Sequence, residues 1–172
     1  MPQRIIIGNL ISFSAASFLI CGAVTENSRR VYLFGVFECI LLFMAQIFFG
    51  QGAAAVSLLI AAFRNLLLFF ERYTRAKFVV IFFASLVLGL LFNTGGTLGL
   101  LPLLATLIFN VTTYYAKSYI KIKLSLFLNL FLWTLYSALI FDIASAAVNF
   151  FSLIVAAFSI IKYVKNNGRS TG

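Results

Sequence analysis

Seven apolar runs follow one another along the chain, at residues 5–24, 31–49, 53–70, 78–92, 98–116, 124–141 and 145–163. No other feature limits the fold so strongly. A helix needs about 20 apolar residues to cross a bilayer, and six of the runs are near that length. The fourth is shorter, but Arg75 and Lys77 can snorkel at one end and residues 93–97 can extend the other. The runs are continuously apolar, whereas barrel strands alternate and are about ten residues long. Charged residues make up 10% of the chain, against about 25% in a soluble domain. A soluble fold would lack the polar surface it needs. The expected fold is an all-α integral membrane domain with seven transmembrane helices. The first run, preceded by Arg4, has the look of a signal peptide; six similar runs follow it, so it is read as a retained helix.

The connectors orient the helices. Arg29 and Arg30 follow run 1; Arg72, Arg75 and Lys77 follow run 3; Lys117, Lys121 and Lys123 follow run 5; Lys162, Lys165 and Arg169 close run 7. With seven spans all of these fall on one side, and only Arg4 remains opposite. Lys and Arg gather in cytoplasmic loops, so the expected N-terminus is outside and the C-terminus cytoplasmic. Tyr32, Tyr73, Tyr114, Tyr115, Tyr119 and Tyr163 sit at that same interface, as an aromatic belt would. The net charge of +9 is therefore read as attraction to anionic lipid headgroups and not to nucleic acid.

The chain also repeats itself. Shifted by 92 residues, the stretch 47–57 (IFFGQGAAAVS) falls on 139–149 (LIFDIASAAVN), and the spans coincide without a gap. This suggests a repeat over 5–71, a linker helix over 76–93 and a second repeat over 97–165, all in one membrane domain, 1–172. The linker supplies the crossing that makes two three-helix units parallel, a known transporter plan.

Several polar groups lie inside the apolar runs, where they are costly and usually face a bundle interior or a cavity. Glu38 and Arg64 fall at similar depth on antiparallel helices, so an ion pair is expected, serving as a structural lock or a gate. Ser145, Asn149, Ser152, Ala156 and Ser159 share one face of helix 7. This face is either a close-packing stripe of small residues or a polar wall. Asn129, Trp133 and Tyr136 share a face of helix 6. Trp133 lies at mid-depth, where its ring could stack on a planar solute or face lipid. Asn9, Ser12, Asn110 and Thr113 are further candidates. Enzymatic activity is not expected. There is no His, three of the four acids (Glu26, Glu71, Asp142) lie near helix ends or in loops, and the chain has neither a metal-ligand cluster nor a phosphate loop. Cys21 and Cys39 are read as buried thiols in apolar surroundings, and no cofactor is expected.

The 3+1+3 plan resembles the SWEET and PQ-loop superfamily, which includes PnuC-type vitamin transporters. More closely, Arg29-Arg30, GAAAVSLLIAAFRNLL with Ser57 and Arg64, and LLPLLATL around Pro102 resemble the YgjV family of bacterial inner-membrane proteins. That family carries no settled activity to transfer. The SWEET-like likeness implies a substrate-facing asparagine on the third helix of each repeat, which falls on Asn149 but on Ser57 in the first half. It also implies a proline hinge in each of four helices, of which this chain has only Pro102 inside a helix. The one Pro-Gln pair, Pro2-Gln3, precedes the first apolar run, so none lies inside a run. The expected function is transport of a small polar, sugar-like or vitamin-like solute by alternating access. Asn149, Ser57, Trp133, Asn129 and Arg64 would line the site, Glu38 would hold Arg64, and Pro102 would be the hinge. The other class is a non-transporting structural or assembly protein of the inner membrane. A homo-oligomer is compatible with either.

Overall fold

The computed structural model describes residues 2–24, 28–115 and 119–168. The described residues fold into seven helices: α1 Gln3–Val24, α2 Ser28–Phe49, α3 Gly52–Phe69, α4 Arg75–Leu91, α5 Leu100–Tyr115, α6 Tyr119–Leu139 and α7 Ile143–Gly168. Each apolar run forms one helix. Four of the helices, α1, α2, α3 and α7, are long and apolar enough to cross a membrane. The apolar parts of α4, α5 and α6 are shorter; the 17 residues of α4 reach about 26 Å at 1.5 Å per residue. Lys117 and Arg169, two of the basic residues used to orient the helices, and Glu26 lie outside the described residues.

The helices pack as a closed ring. α1 contacts α2, α2 contacts α3, α3 contacts α5, α5 contacts α6, α6 contacts α7, and α7 returns to α1. Among the described residues α4 packs only on α3 and α5, outside the ring. It buries one stripe there, Phe78, Ile81, Ser85 and Gly89, and turns Val80, Phe83 and Leu91 outward. The whole molecule follows the same distribution. Phe13, Phe151 and Phe158 are exposed, while the interior holds alanines together with Ser12, Gln46, Asn110 and Asp142. Bulky apolar residues outside and small or polar residues inside suit a lipid solvent, in which helices associate by close packing.

Contacts between elements define the two ends. At the basic end Arg29 reaches Glu71 at 2.6 Å, and Tyr114 near the end of α5 stacks on Phe78 with ring centroids 4.5 Å apart. Tyr73, in the α3–α4 loop, meets Tyr114 edge-on, and burial raises its phenol above the ordinary value. At the other end the Thr94 hydroxyl donates to the Gly50 carbonyl and accepts from the Gly52 N–H, each at 3.0 Å.

Two turns at that second end share one backbone ladder. The Gly50 N–H donates to Ile47, Gln51 to Gln46 and Ala55 to Gln51; the Phe141 N–H donates to Ala138, Asp142 to Ser137 and Ala146 to Asp142. Gly50 and Phe141 both adopt positive φ, 72° and 62°, the left-handed position that closes such helix ends. Gly50 thus matches Phe141 and Gln51 matches Asp142, a spacing of 91 and not the 92 of the apolar alignment. Burial follows the same spacing: Gly8 with Gly99, Ala45 with Tyr136 and Gln46 with Ser137 are all buried. One residue is about 100° around a helix, so Ser57 and Asn149 do not correspond in this register.

Candidate functional site

The ring encloses a cavity of about 390 Å³. All six ring helices line it and α4 does not. Much of the wall is apolar, including Leu19, Leu42, Leu58, Phe109, Leu126 and Leu130. Into this wall are set Glu38, Arg64, Asn65, Asn129, Trp133 and Asn149. Along α2 the lining runs from Val31 and Tyr32 at the basic end to Gln46, about 22 Å of helix.

The structure brings together most of the residues singled out in the sequence. Asn149 faces the cavity from α7, with no hydrogen-bond partner among the described residues. Trp133 lines it from α6, its ring edge-on to Tyr136 with centroids 5.7 Å apart. The alternative of a lipid-facing Trp133 is not what is seen. Asn129 also lines it, and its amide donates to the Ala105 carbonyl of α5 at 2.9 Å. Of the helix 7 stripe, Ser145 and Asn149 reach the cavity, and Ala156 is buried in packing. The side chain of Ser159 lies outside the described residues.

Three expectations are corrected. Ser57 does not line the cavity; it is fully buried in α3, and its hydroxyl has no partner among the described residues. Glu38 and Arg64 do not pair. The contacts of Asn65 with Cys39 and, closely, with Gly35 set α2 and α3 at a common level, so depth is not the obstacle. Arg64 instead turns to α5. Its guanidinium donates to Asn110 at 2.7 Å and lies 4.8 Å over the Phe109 ring. Asn110 in turn donates to Ser85 on α4 at 3.2 Å, tying α3, α5 and α4 together. Pro102 stands in the first turn of α5, where backbone N–H groups have no intrahelical acceptor and proline removes no bond. α5 continues unbroken past it to Tyr115.

A second polar cluster closes the far end of the cavity; the sequence points to its Asn9, Ser12 and Tyr136 but not to Gln46 or to a buried Asp142. Buried Asp142 accepts from the Ser12 hydroxyl at 3.1 Å and from Gln46 at 3.5 Å, and it caps α7 through the Ser145 N–H at 3.1 Å. The Tyr136 hydroxyl donates to Gln46 at 3.0 Å. Asn9 fastens the same turn, donating to the Phe141 carbonyl and accepting from the Ala144 N–H. Burial pushes the Asp142 carboxyl above its ordinary value, with the bonds from Ser145 and Ser12 acting in the opposite direction. The available signal was Gln46, the one amide within the apolar run of helix 2.

A family model described as a bacterial inner membrane protein, Imp-YgjV, matches residues 6–167. The chain belongs to the YgjV family of bacterial inner membrane proteins. Comparison with curated proteins and with solved structures finds no match. The inner-membrane assignment agrees with the four long apolar helices and the outward-facing phenylalanines of this YgjV-family chain.

Proposed function

We propose that this YgjV-family protein carries a small polar solute across the inner membrane. The observation that supports this reading is the cavity inside the ring, with Asn149, Asn129, Trp133 and Arg64 on its wall. A scaffold would use such polar groups to bind helices together. Here Asn149 is left facing open space, which is costly in a membrane unless a ligand or water meets it. In support, α4 lies outside the ring, as a linker between an α1–α3 unit and an α5–α7 unit would. This is the arrangement expected of two parallel three-helix units meeting around a midplane site. Transport is by alternating access. The Tyr136–Gln46–Asp142–Ser12 cluster is the outer closure in this state, and the basic end faces the cytoplasm by the positive-inside rule.

The test is solute uptake into liposomes holding the purified protein, over a panel of sugars, amino acids and vitamins. At least one solute should enter faster than into protein-free liposomes. Asn149→Ala and Trp133→Ala should abolish that uptake while the protein still folds and inserts. If no solute enters, or both variants transport as the parent does, the scaffold role replaces this one.

A further inference from the structure

Among the described residues two charged side chains line the cavity, Glu38 and Arg64, and they are of opposite sign. They stand at one level on neighbouring helices, yet among the described residues no ion pair joins them. Arg64 is 5% exposed. Of its five N–H donors, one reaches Asn110 at 2.7 Å and one reaches Asn65 at 3.4 Å, while the buried Nε has no partner among the described residues. Glu38 has no hydrogen bond or ion pair among the described residues.

A bundle built only for stability would join these groups, because an unpaired charge inside a membrane is expensive. The neighbours instead hold them apart. Asn110 and the Phe109 ring anchor the guanidinium on the α5 side, and the cavity takes the space into which Glu38 projects. The wall around them is largely aliphatic and aromatic, with Phe18, Tyr32, Phe109 and Trp133 as its rings. The volume of about 390 Å³ falls within the range of small-molecule sites.

We infer that the solute is a zwitterion of amino-acid size with an apolar side group, its ammonium meeting Glu38 and its acidic group meeting Arg64. This rests on the transport reading and names the class of solute for that same site. Asn149 and Asn129 supply amide groups to the solute's remaining polar atoms, and the side group lies against the apolar wall. A neutral sugar would leave both charges unanswered. A simple amine or a simple carboxylate would answer one and leave the other. The zwitterion answers both with no net charge added to the site, so it has the least to overcome on entering a low-dielectric bundle.

The experiment uses the full chain in detergent or liposomes. The readout is the fluorescence of Trp133, the only tryptophan, which lies on the cavity wall. The probes are phenylalanine, phenethylamine, 3-phenylpropionate and glucose, three of them sharing one ring and differing only in charge. Phenylalanine should bind at least about tenfold more tightly than each of the others, the scale of one unanswered charge. Glu38→Gln should remove its advantage over 3-phenylpropionate, and Arg64→Gln its advantage over phenethylamine. If Arg64→Gln does not fold, Arg64→Lys and the parent ranking decide. Equal binding of the three ring compounds, tighter binding of glucose, a ranking unmoved by Glu38→Gln, or no binding of any probe would overturn the inference. Uptake of a sugar or vitamin in the liposome panel, with no charge-dependent ranking, would overturn it and leave transport standing.

Discussion

Asn110 decides where Arg64 points. Its carbonyl oxygen takes one guanidinium N–H at 2.7 Å, and its own amide is held by Ser85. The substitution Asn110→Leu would leave a buried cationic donor without its acceptor. Hydrogen bonds to charged groups are worth about 1.5–3 kcal/mol, so unfolding in detergent should show a loss of that order. Unchanged stability would mean that Arg64 finds another partner at no cost. Asp142 offers a second test at this scale. Burial raises its pKa in the fold, so between the unfolded and folded values the native state holds more protons than the unfolded one. Stability is therefore full at pH below the unfolded value, near 4, and falls as pH rises through the folded one. Thermal unfolding from pH 4 upward should show this decline, and Asp142→Asn should flatten it. A parent protein with no decline would show that the bonds from Ser145 and Ser12 offset the burial of this carboxyl.

At the scale of elements, the tight turns carry the demands on residue type. A Cβ at Gly52 would collide with the Phe92 carbonyl oxygen, a backbone atom fixed at the end of α4. Gly52→Ala should therefore cost about 1–3 kcal/mol, the range for overpacking, measured as a lower midpoint of thermal unfolding. Phe141 sets the reverse case. It holds φ of 62° with a bulky side chain, in a turn whose counterpart uses glycine at Gly50. Phe141→Gly should stabilise by about 1 kcal/mol through relief of that conformation, because the side chain is largely exposed and the carbonyl that binds Asn9 remains. The Arg29–Glu71 pair is different in kind. Both side chains are mostly exposed, so it contributes at most about 1 kcal/mol.

For the whole molecule, the ring and its two ends make the remaining prediction. Reporters fused at the C-terminus and in the 93–96 loop should read cytoplasmic and external respectively; the opposite result would invert the orientation. In a background with Cys21→Ser and Cys39→Ser, a thiol at the cavity-lining position 61 tests the outer closure. With Ala61→Cys, a membrane-impermeant reagent should label from the basic side. Adding Gln46→Ala, which removes the link between Tyr136 and Asp142, should raise labelling from the other side severalfold. No rise would show that something other than this cluster closes that end.

The number, order and approximate bounds of the helices could be read from the sequence alone. Whether a segment enters a low-dielectric phase depends on the length and apolarity of that segment, a local property. The basic loops and the polar positions within the runs were legible for the same reason. Asn149, Trp133, Asn129 and Arg64 were found because a polar or ring-bearing group inside an apolar run stands out wherever it goes. Which partner each group takes was not legible. Glu38 and Arg64 share a level, so their pairing looked natural, but Arg64 has α5 as well as α2 within reach, and Asn110 and Phe109 hold it there. Ser57 and Asn149 looked equivalent because apolar stretches align almost as well one residue out of register. The hydrogen-bond ladders at Gly50 and Phe141, together with the burial pattern, separate a spacing of 91 from 92, and that single residue turns a side chain to another face. Asp142 looked like an ordinary turn residue until the ring brought Ser12 and Gln46, from helices far away in the chain, to its carboxyl. Contacts of that range depend on how six helices close on one another, and tertiary structure alone determines them.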